Sequence, residues 1–194
     1  LNNELNNLNV NHGEIYPIHR FDEWPLDFLV KYIIINHHNY VKQNTHRIFQ
    51  IINRVACLYG KKYPETLEIT NLFEKFHHEF EQHIFKEEKI LFPYISKIAR
   101  TTKKEKPLNG PEIMNVKHPI KIMMLEHENA RGQIDMIMQL TDNYTPPADA
   151  SDTHKTAYKE LKLFDMDLHF HCFIENNILF PKAIELEKSQ FIRK

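Results

Sequence analysis

A histidine and a glutamate four residues apart occur twice in this chain, inside an eleven-residue segment that is itself repeated. The first copy begins at His83 and contains Glu87, and the second begins 88 residues later (171 − 83) at His171 and contains Glu175. Both copies end in Ile-Leu-Phe-Pro. Positions i and i+4 of a helix share one face, so each copy directs one imidazole and one carboxylate to the same side. Buried groups of this kind need a counter-charge or a metal ion, and the repeat therefore predicts a metal site.

Four long amphipathic helices are predicted to carry these residues. Their expected bounds are about 24–58, 65–100, 118–140 and 152–187. Pro25 suits the first turn of the first helix, and Ser151 or Asp152 can cap the fourth. The connecting segments contain glycine and proline, and the longer ones cover 101–116 and 142–152. Because no strand pattern interrupts the helices, the sequence predicts an all-α, antiparallel, up-down-up-down four-helix bundle.

Steps of three and four residues indicate which side chains face the core. In the second helix the inward series is Phe73, Phe76, Phe80, His83, Glu87, Ile90 and Tyr94. In the fourth helix it is Ala157, Leu161, Phe164, Leu168, His171, Glu175 and Ile178. Both series are apolar apart from the His/Glu pair, so the pairs are predicted to lie in the core.

The first and third helices each offer one inward histidine. Steps from His38 meet almost only apolar residues, whereas steps from His37 meet mainly polar ones. His38 is therefore predicted to face the core and His37 the solvent, so that His37→Ala would leave metal binding nearly intact. In the third helix, His127 continues an apolar series. Lys86 and Glu88 are expected to be solvated. The histidines off these series are expected at the surface or behind the ligands, and they are His46, His77, His78 and His169.

Four imidazoles and two carboxylates suit two divalent or trivalent iron ions bridged by the carboxylates. A zinc site would use four ligands and often thiolates, and ferritin-like sites use Glu-x-x-His with more carboxylates. A single histidine on an apolar face is more often a hydrogen-bonded core residue. Four of them at one level, with two paired glutamates, favour the metal site.

The remaining composition excludes several classes of function. A formal net charge of −1 and a pI near 7.0 give no electrostatic case for nucleic acid or an acidic membrane surface. No apolar run approaches the ~20 residues of a membrane span, and no signal peptide is visible. Cys57 and Cys172 form no CxxC motif, so free thiols in the cytoplasm are expected. The Asn-rich residues 1–22 are expected to form a linker or arm, and residues 23–194 one domain.

The sequence resembles the hemerythrin-like di-iron proteins of the iron–sulfur cluster repair type, also called repair of iron centres, over residues 24–183. Three segments carry the resemblance: the double motif, the third-helix stretch from His118-Pro119 through Glu126-His127-Glu128, and the connection 142–150 with the sequence Asp-Asn-Tyr-Thr-Pro-Pro-Ala-Asp-Ala. The resemblance implies a hemerythrin-like bundle and a carboxylate-bridged di-iron centre, with an oxo or hydroxo bridge as a further option. The family's iron ligands fall on His38, His83, Glu87, His127, His171 and Glu175.

The same resemblance implies repair of iron–sulfur clusters after nitrosative or oxidative stress, by supplying iron during transient contact with the damaged protein. An oxygen- or nitric-oxide-binding sensor and a nitric oxide reductase are the alternatives, so enzymatic activity is left open, as is a homodimer. The chain lacks the cysteine pair of the small N-terminal domain that many relatives carry, and Tyr59 stands where relatives often have histidine. Oxygen-carrying hemerythrins use a further third-helix histidine, where this chain has Arg131, and an aspartate five residues after the fourth-helix histidine.

Overall fold

The computed structural model describes residues 20–103 and 115–192, which form four long helices after a short 3-10 turn, Phe21–Glu23. Helix α1 comprises Leu26–Ile33, Ile34–His38 and Asn39–Tyr59, and helix α2 comprises Glu65–Lys86, Glu87–Leu91 and Phe92–Lys103. Helix α3 is Lys117–Leu140. Helix α4 comprises Asp152–Ile174, Glu175–Leu179 and Phe180–Ile192. Helix α1 packs against α2 and α4, α2 packs against α3, and α3 packs against α4. The predicted four-helix bundle is confirmed, whereas most of the predicted N-terminal arm lies outside the described residues.

Helix boundaries follow from local chemistry. Pro25 immediately precedes α1, and its carbonyl accepts from the backbone N–H groups of Phe28 and Leu29 at 3.0 Å each. The Ser151 hydroxyl accepts from the backbone N–H of His154 at 3.3 Å, so Ser151 is the N-cap of α4.

Three consecutive residues between α3 and α4 have left-handed backbones. Asp142, Asn143 and Tyr144 have φ of 46°, 57° and 60°. Asp and Asn tolerate this region, but tyrosine adopts it only at a cost. Burial of the Tyr144 ring and a 3.0 Å hydrogen bond from its backbone N–H to the Thr141 hydroxyl offset that cost. The turn thus fixes the angle at which the chain returns into α4.

The middle stretch of α1, α2 and α4 is in each case a five-residue π-helical turn. Such a turn inserts one extra residue and shifts the inward face that follows it. The prediction that Ile90 faces inward is therefore wrong, because Ile90 is 50% exposed and Leu91 takes its place at 2%. In α4, Leu179 is likewise fully buried while Ile178 is only partly buried.

The core consists of two apolar clusters on either side of a polar level. One cluster includes Phe92 and Phe180, and the other includes Phe80 and Phe164. Phe92 stacks on His38, whereas Phe80 stacks on His83 from the other cluster. The imidazoles are therefore enclosed by apolar side chains from both sides, which excludes water from the level between the clusters.

Two further expectations concern thiols and membranes. Both cysteines are free, with Cys57 exposed and Cys172 buried. Within residues 20–103 and 115–192, no helix combines the length and the apolar character needed to span a bilayer.

We expect Phe164→Ala to lower the free energy of unfolding by about 3–5 kcal/mol, because a buried ring is lost and the cavity left behind only partly collapses. Phe164 is fully buried and contacts Phe73 and Phe76 at ring-centroid distances of 5.5 and 5.4 Å. Phe173→Ala is the matched control, since that ring lies on the same helix and is 52% exposed; a change within about 0.5 kcal/mol is expected. Urea unfolding of the metal-free chain, followed by circular dichroism, measures both. Equal losses would contradict this description of the core.

Candidate metal centre

The side chains of all six residues predicted from the sequence meet at one level of the bundle, and none of these residues is more than 1% exposed as a whole. Helix α1 supplies one, α2 two, α3 one and α4 two. Their potential ligand atoms form two overlapping groups, each within 4.8 Å: His83, His127, His171 and Glu175, and His38, Glu87, His171 and Glu175. The two groups share α4 residues, so the structure brings the six together as one continuous cluster.

Each of the two carboxylates faces imidazoles from two different helices. Glu87 Oε2 lies 3.3 Å from His38 Nε2 and 3.4 Å from His83 Nε2. Glu175 Oε2 lies 3.0 Å from His127 Nε2 and 2.9 Å from His171 Nε2. Glu87 thus connects the imidazole of α1 with the imidazole of its own helix α2, and Glu175 connects the imidazole of α3 with that of its own helix α4.

Several polar atoms of the cluster have no hydrogen-bond partner among the described residues. These atoms are Nε2 of His38 and His171 and all four oxygens of Glu87 and Glu175. Buried polar atoms are normally hydrogen-bonded, and unpaired buried charge is costly. A donor set of imidazole nitrogens and carboxylate oxygens without sulfur suits iron and similar cations. The residues present therefore fit a metal centre.

Two imidazoles are held from behind by carboxylates that are in turn bound by lysines. His38 Nδ1 lies 3.0 Å from Glu88, which accepts from Lys42 at 2.6 Å. His83 Nδ1 lies 3.0 Å from Glu126, which accepts from Lys86 at 2.5 Å. A carboxylate at Nδ1 fixes the tautomer that presents Nε2 to a metal. The expectation that Glu88 and Lys86 are merely solvated is wrong, because both take part in these contacts.

The second copy of the repeat supplies the equivalent support for α3. Asn176, which corresponds to Glu88 (88 + 88), lies 2.8 Å from His127 Nδ1 through its Oδ1. Phe180 stacks on the His127 ring at 6.0 Å and 8°, as Phe92 stacks on His38 at 5.4 Å and 12°. Each copy of the repeat therefore supplies a His/Glu pair and also holds the single histidine of another helix.

The electrostatics of the cluster favour a charge-separated state when no metal is bound. Burial alone would lower the pKa of His38, but the nearby Glu87 carboxylate and the hydrogen bond with Glu88 raise it to about 9. Burial likewise opposes charge on His83, but the charge of Glu87 and the hydrogen bond with Glu126 raise its pKa to about 10. The pKa of Glu87 falls to about 2, because these imidazoles outweigh burial and the charge of Glu175. A cation entering the cluster must therefore displace protons.

His37 contradicts the sequence-based prediction. It is 3% exposed, and its Nδ1 lies 2.8 Å from Asp167 Oδ1. The polar face expected for His37 assumed a regular α-helix, whereas the Ile34–His38 turn is π-helical and Asp167 of α4 supplies a buried partner. Its nitrogens belong to neither ligand group.

His154 is a buried histidine that the inward series missed. It is fully buried in the first turn of α4 and packs against Tyr158, Tyr63 and Tyr59 at ring-centroid distances of 4.6, 5.5 and 6.3 Å. One more step of three before Ala157 would have found it. Tyr59, 21 residues after His38 on α1, lies about 30 Å along the helix from the centre. It therefore takes no part in the metal centre.

A cavity of about 290 Å³ opens between α2 and α3 beside the cluster. Its lining includes His83 and Glu126 at the inner side, with Lys86, Glu79 and Gln133 around them. His83 is thus a candidate ligand that borders open space, although its side chain is only 2% exposed.

Comparisons with known proteins agree with this geometry. The family model described as the hemerythrin HHE cation binding domain matches residues 32–183. The chain is 32% identical over 156 residues to a probable iron-sulfur cluster repair protein of Haemophilus influenzae, covering 80% of this chain and 64% of that protein. It is 31% identical over 176 residues to the iron-sulfur cluster repair protein YtfE of Yersinia pestis and to that of Yersinia pseudotuberculosis, covering 87% of this chain and 72% of each relative.

Proposed function

This chain belongs to the hemerythrin HHE cation-binding family, and we propose on that premise that it holds two iron ions and supplies iron to damaged iron–sulfur clusters. The observation that carries the proposal is the position of the two carboxylates. Each of Glu87 and Glu175 faces imidazoles from two helices through Oε2, and Oε1 of Glu175 also faces His38 Nε2 at 3.9 Å. Only carboxylates offer two oxygens to neighbouring cations. That arrangement is what a carboxylate-bridged pair requires.

The six residues divide into two metal positions. Nε2 of His83 and Nε2 of His127 lie 2.9 Å apart, so these two nitrogens face one point. His171 belongs to both ligand groups, but its ring lies closer to that of His38, at 5.0 Å, than to those of His127 and His83, at 5.7 and 6.5 Å. We therefore assign His171 with His38 to the second position. Glu87 and Glu175 would bridge the two. Bound there, the irons supply exchangeable cations in a centre that contains no thiolate.

Iron is the cargo in this proposal, and its exchange needs a route to the surface. The cavity beside His83 supports such a route, because it ends at a candidate ligand and at the carboxylate of Glu126. The carboxylates of Glu79 and Glu126 line it and suit a hydrated cation better than an apolar molecule, while Lys86 is paired with Glu126 at 2.5 Å. The proposed partners are damaged iron–sulfur proteins that bind transiently.

The test is reactivation of an iron–sulfur enzyme inactivated by nitric oxide, using chain loaded with iron-57 under anaerobic conditions. We expect recovery of activity together with iron-57 in the repaired cluster. Free iron-57 at the same concentration is the control and should give slower recovery. Recovery without label in the cluster, accompanied by nitric oxide consumption, would instead favour reduction of nitric oxide at this centre. Reversible binding of oxygen or nitric oxide without any recovery would favour a sensor.

We expect Glu126→Gln to weaken iron binding by about 10-fold, the lower end of the effect of changing a partner that orients a metal-bound histidine, because the charge is lost while the hydrogen bond can remain. Glutamine can still accept a hydrogen bond from His83 Nδ1, so the change removes charge and leaves the fold intact. Glu128→Gln is the matched control, because Glu128 lies on the same helix and is exposed. Competition against a chromophoric chelator measures both affinities. Equal affinity of the two variants would contradict a role for Glu126.

A further inference from the structure

A buried histidine–aspartate contact lies directly beside the metal centre. His37 and Asp167 are each 3% exposed, and their Nδ1 and Oδ1 atoms are 2.8 Å apart. Replacing such a buried pair by apolar side chains of similar volume is often neutral or stabilising, so packing alone does not explain it. The second nitrogen of His37 and the second oxygen of Asp167 have no hydrogen-bond partner in the described part of the chain.

His171 is supported differently from the other three imidazoles of the centre. Those of His38, His83 and His127 each have a side-chain oxygen at Nδ1, at 3.0, 3.0 and 2.8 Å. Across residues 20–103 and 115–192, Nδ1 of His171 has no hydrogen-bond partner, while its Nε2 faces Glu175 Oε2 at 2.9 Å. A metal-bound histidine normally has such a partner to fix its ring. The orientation of His171 must come from packing.

The His37 ring supplies part of that packing. Among the described residues it is the one ring stacked nearly parallel to the His171 ring, at 5.8 Å and 15°, whereas the rings of His38, Phe80 and His127 meet His171 at steep angles. Tyr32 and Phe170 enclose it edge-on at 5.6 and 5.5 Å, and Asp167 fixes its rotation through Nδ1. Asp167 lies one helical turn before His171 on α4, so both residues approach His37 from the same face.

The internal repeat relates α2 to α4, and the single histidines of α1 and α3 correspond to each other in the same way. His37, which precedes His38, therefore occupies the position that corresponds to Glu126, which precedes His127. Glu126 precedes His127 and holds His83, whereas His37 precedes His38 and packs on His171. Equivalent positions therefore support equivalent ligands by different means, a charged hydrogen bond in one half and a ring face in the other. A histidine that donates to a carboxylate is a stronger ligand than one without a partner. The two halves of the centre are unequal for this reason.

We propose that His37 and Asp167 are positioning residues that hold the His171 ring toward the metal position it shares with His38. The inference rests on the proposed function, because it takes His171 as an iron ligand. It assigns the two irons separate supports: Glu126 acts on the position of His83 and His127, and the His37–Asp167 pair acts on the position of His38 and His171.

The test uses the double variant His37→Leu/Asp167→Leu, which removes the ring without leaving a buried carboxylate unpaired. Equilibrium dialysis and Mössbauer spectra of iron-57-loaded chain count the irons and distinguish their environments. We expect one of the two positions to weaken by about 10–100-fold, so that iron content falls toward one per chain. Asp167→Asn should retain both irons, since its amide oxygen still accepts from His37 Nδ1. His169→Ala is the control on the same helix, with a side chain 45% exposed.

The outcomes separate this inference from the proposed function. Wild-type affinity and an unchanged spectrum in the double variant would overturn the positioning role, as would equal weakening of both positions or an equal loss in His169→Ala. Glu126→Gln should weaken the other position, so the two sets of variants should alter different spectral components. A wild-type chain that binds no iron would overturn the proposed function itself, and the positioning role with it.

Discussion

Glu175→Ala is expected to empty the metal centre and to lower the melting temperature of the iron-loaded chain. Glu175 Oε2 faces His127 and His171 at 3.0 and 2.9 Å, so its loss would remove the proposed bridge between the two metal positions. The affinity should fall by more than the 10–100-fold that partners behind the ligands contribute. Because bound metal stabilises only the folded state, a thousandfold weaker affinity would remove about 4 kcal/mol of the stabilisation that iron provides.

Glu175→Gln separates bridging from simple loss of volume. Glutamine fills the same space but offers one good donor oxygen, so it should fold normally while losing most of the iron. Glu87→Ala should behave like Glu175→Ala, since Glu87 faces His38 and His83 in the same way. Iron analysis and calorimetric melting, with and without iron, measure these effects. Full iron occupancy and unchanged melting in both alanine variants would rule out the carboxylate bridges.

The placement of the six candidate ligands could be predicted because each lies on a long, regular and otherwise apolar series. A His/Glu pair such as His83 with Glu87 is conspicuous because the rest of the inward series on its helix is apolar. The same regularity made the fold predictable, since amphipathic helices with short connections leave few arrangements other than an antiparallel bundle.

The residues that support the ligands were not predictable, because their roles depend on contacts between helices and on π-helical turns. Glu88 and Lys86 carry charges typical of a solvated face, and only the approach of α1 and α3 turns them into partners. The π turns shift the inward face by one residue, which exposes Ile90 and buries His37. A periodic reading assumes 3.6 residues per turn and cannot include such an insertion.

Proton competition at the centre should act at a higher pH than the ordinary histidine pKa of ~6.5 suggests. The pKa values of His38 and His83 in the metal-free chain are raised to about 9 and about 10, so both imidazoles are protonated on both nitrogens and positively charged at neutral pH. Each must lose a proton to bind a cation. Iron affinity should therefore rise as the pH rises from 7 through 9, and iron uptake at pH 7 should release protons to the solvent.

These protons make iron release at neutral pH the measurement that best separates cargo from a fixed cofactor. A chelator is expected to remove at least one iron readily at pH 7, and faster after reduction, because a ferrous ion has lower charge and weaker bonds to every ligand. A weakening of only about 1.4 kcal/mol would make the binding constant tenfold smaller. Release should slow as the pH is raised toward 9, because protons then compete less strongly for the nitrogens of His38, whose pKa is about 9, and begin to leave His83, whose pKa is about 10.

Transfer to an apo iron–sulfur protein, followed beside the chelator assay, decides what the lability means. A donor should lose iron to the acceptor and be reloaded, with release and transfer changing together as pH and oxidation state change. The cavity beside His83 predicts that Glu126→Gln alters the release rate more than Glu88→Gln does, because Glu126 lines that cavity and Glu88 does not. Retention of both irons in both oxidation states, with reversible oxygen binding, would identify a sensor instead. In that case the attraction between the protonated imidazoles of His38 and His83 and their neighbouring carboxylates would stabilise the metal-free centre and would have no part in iron release.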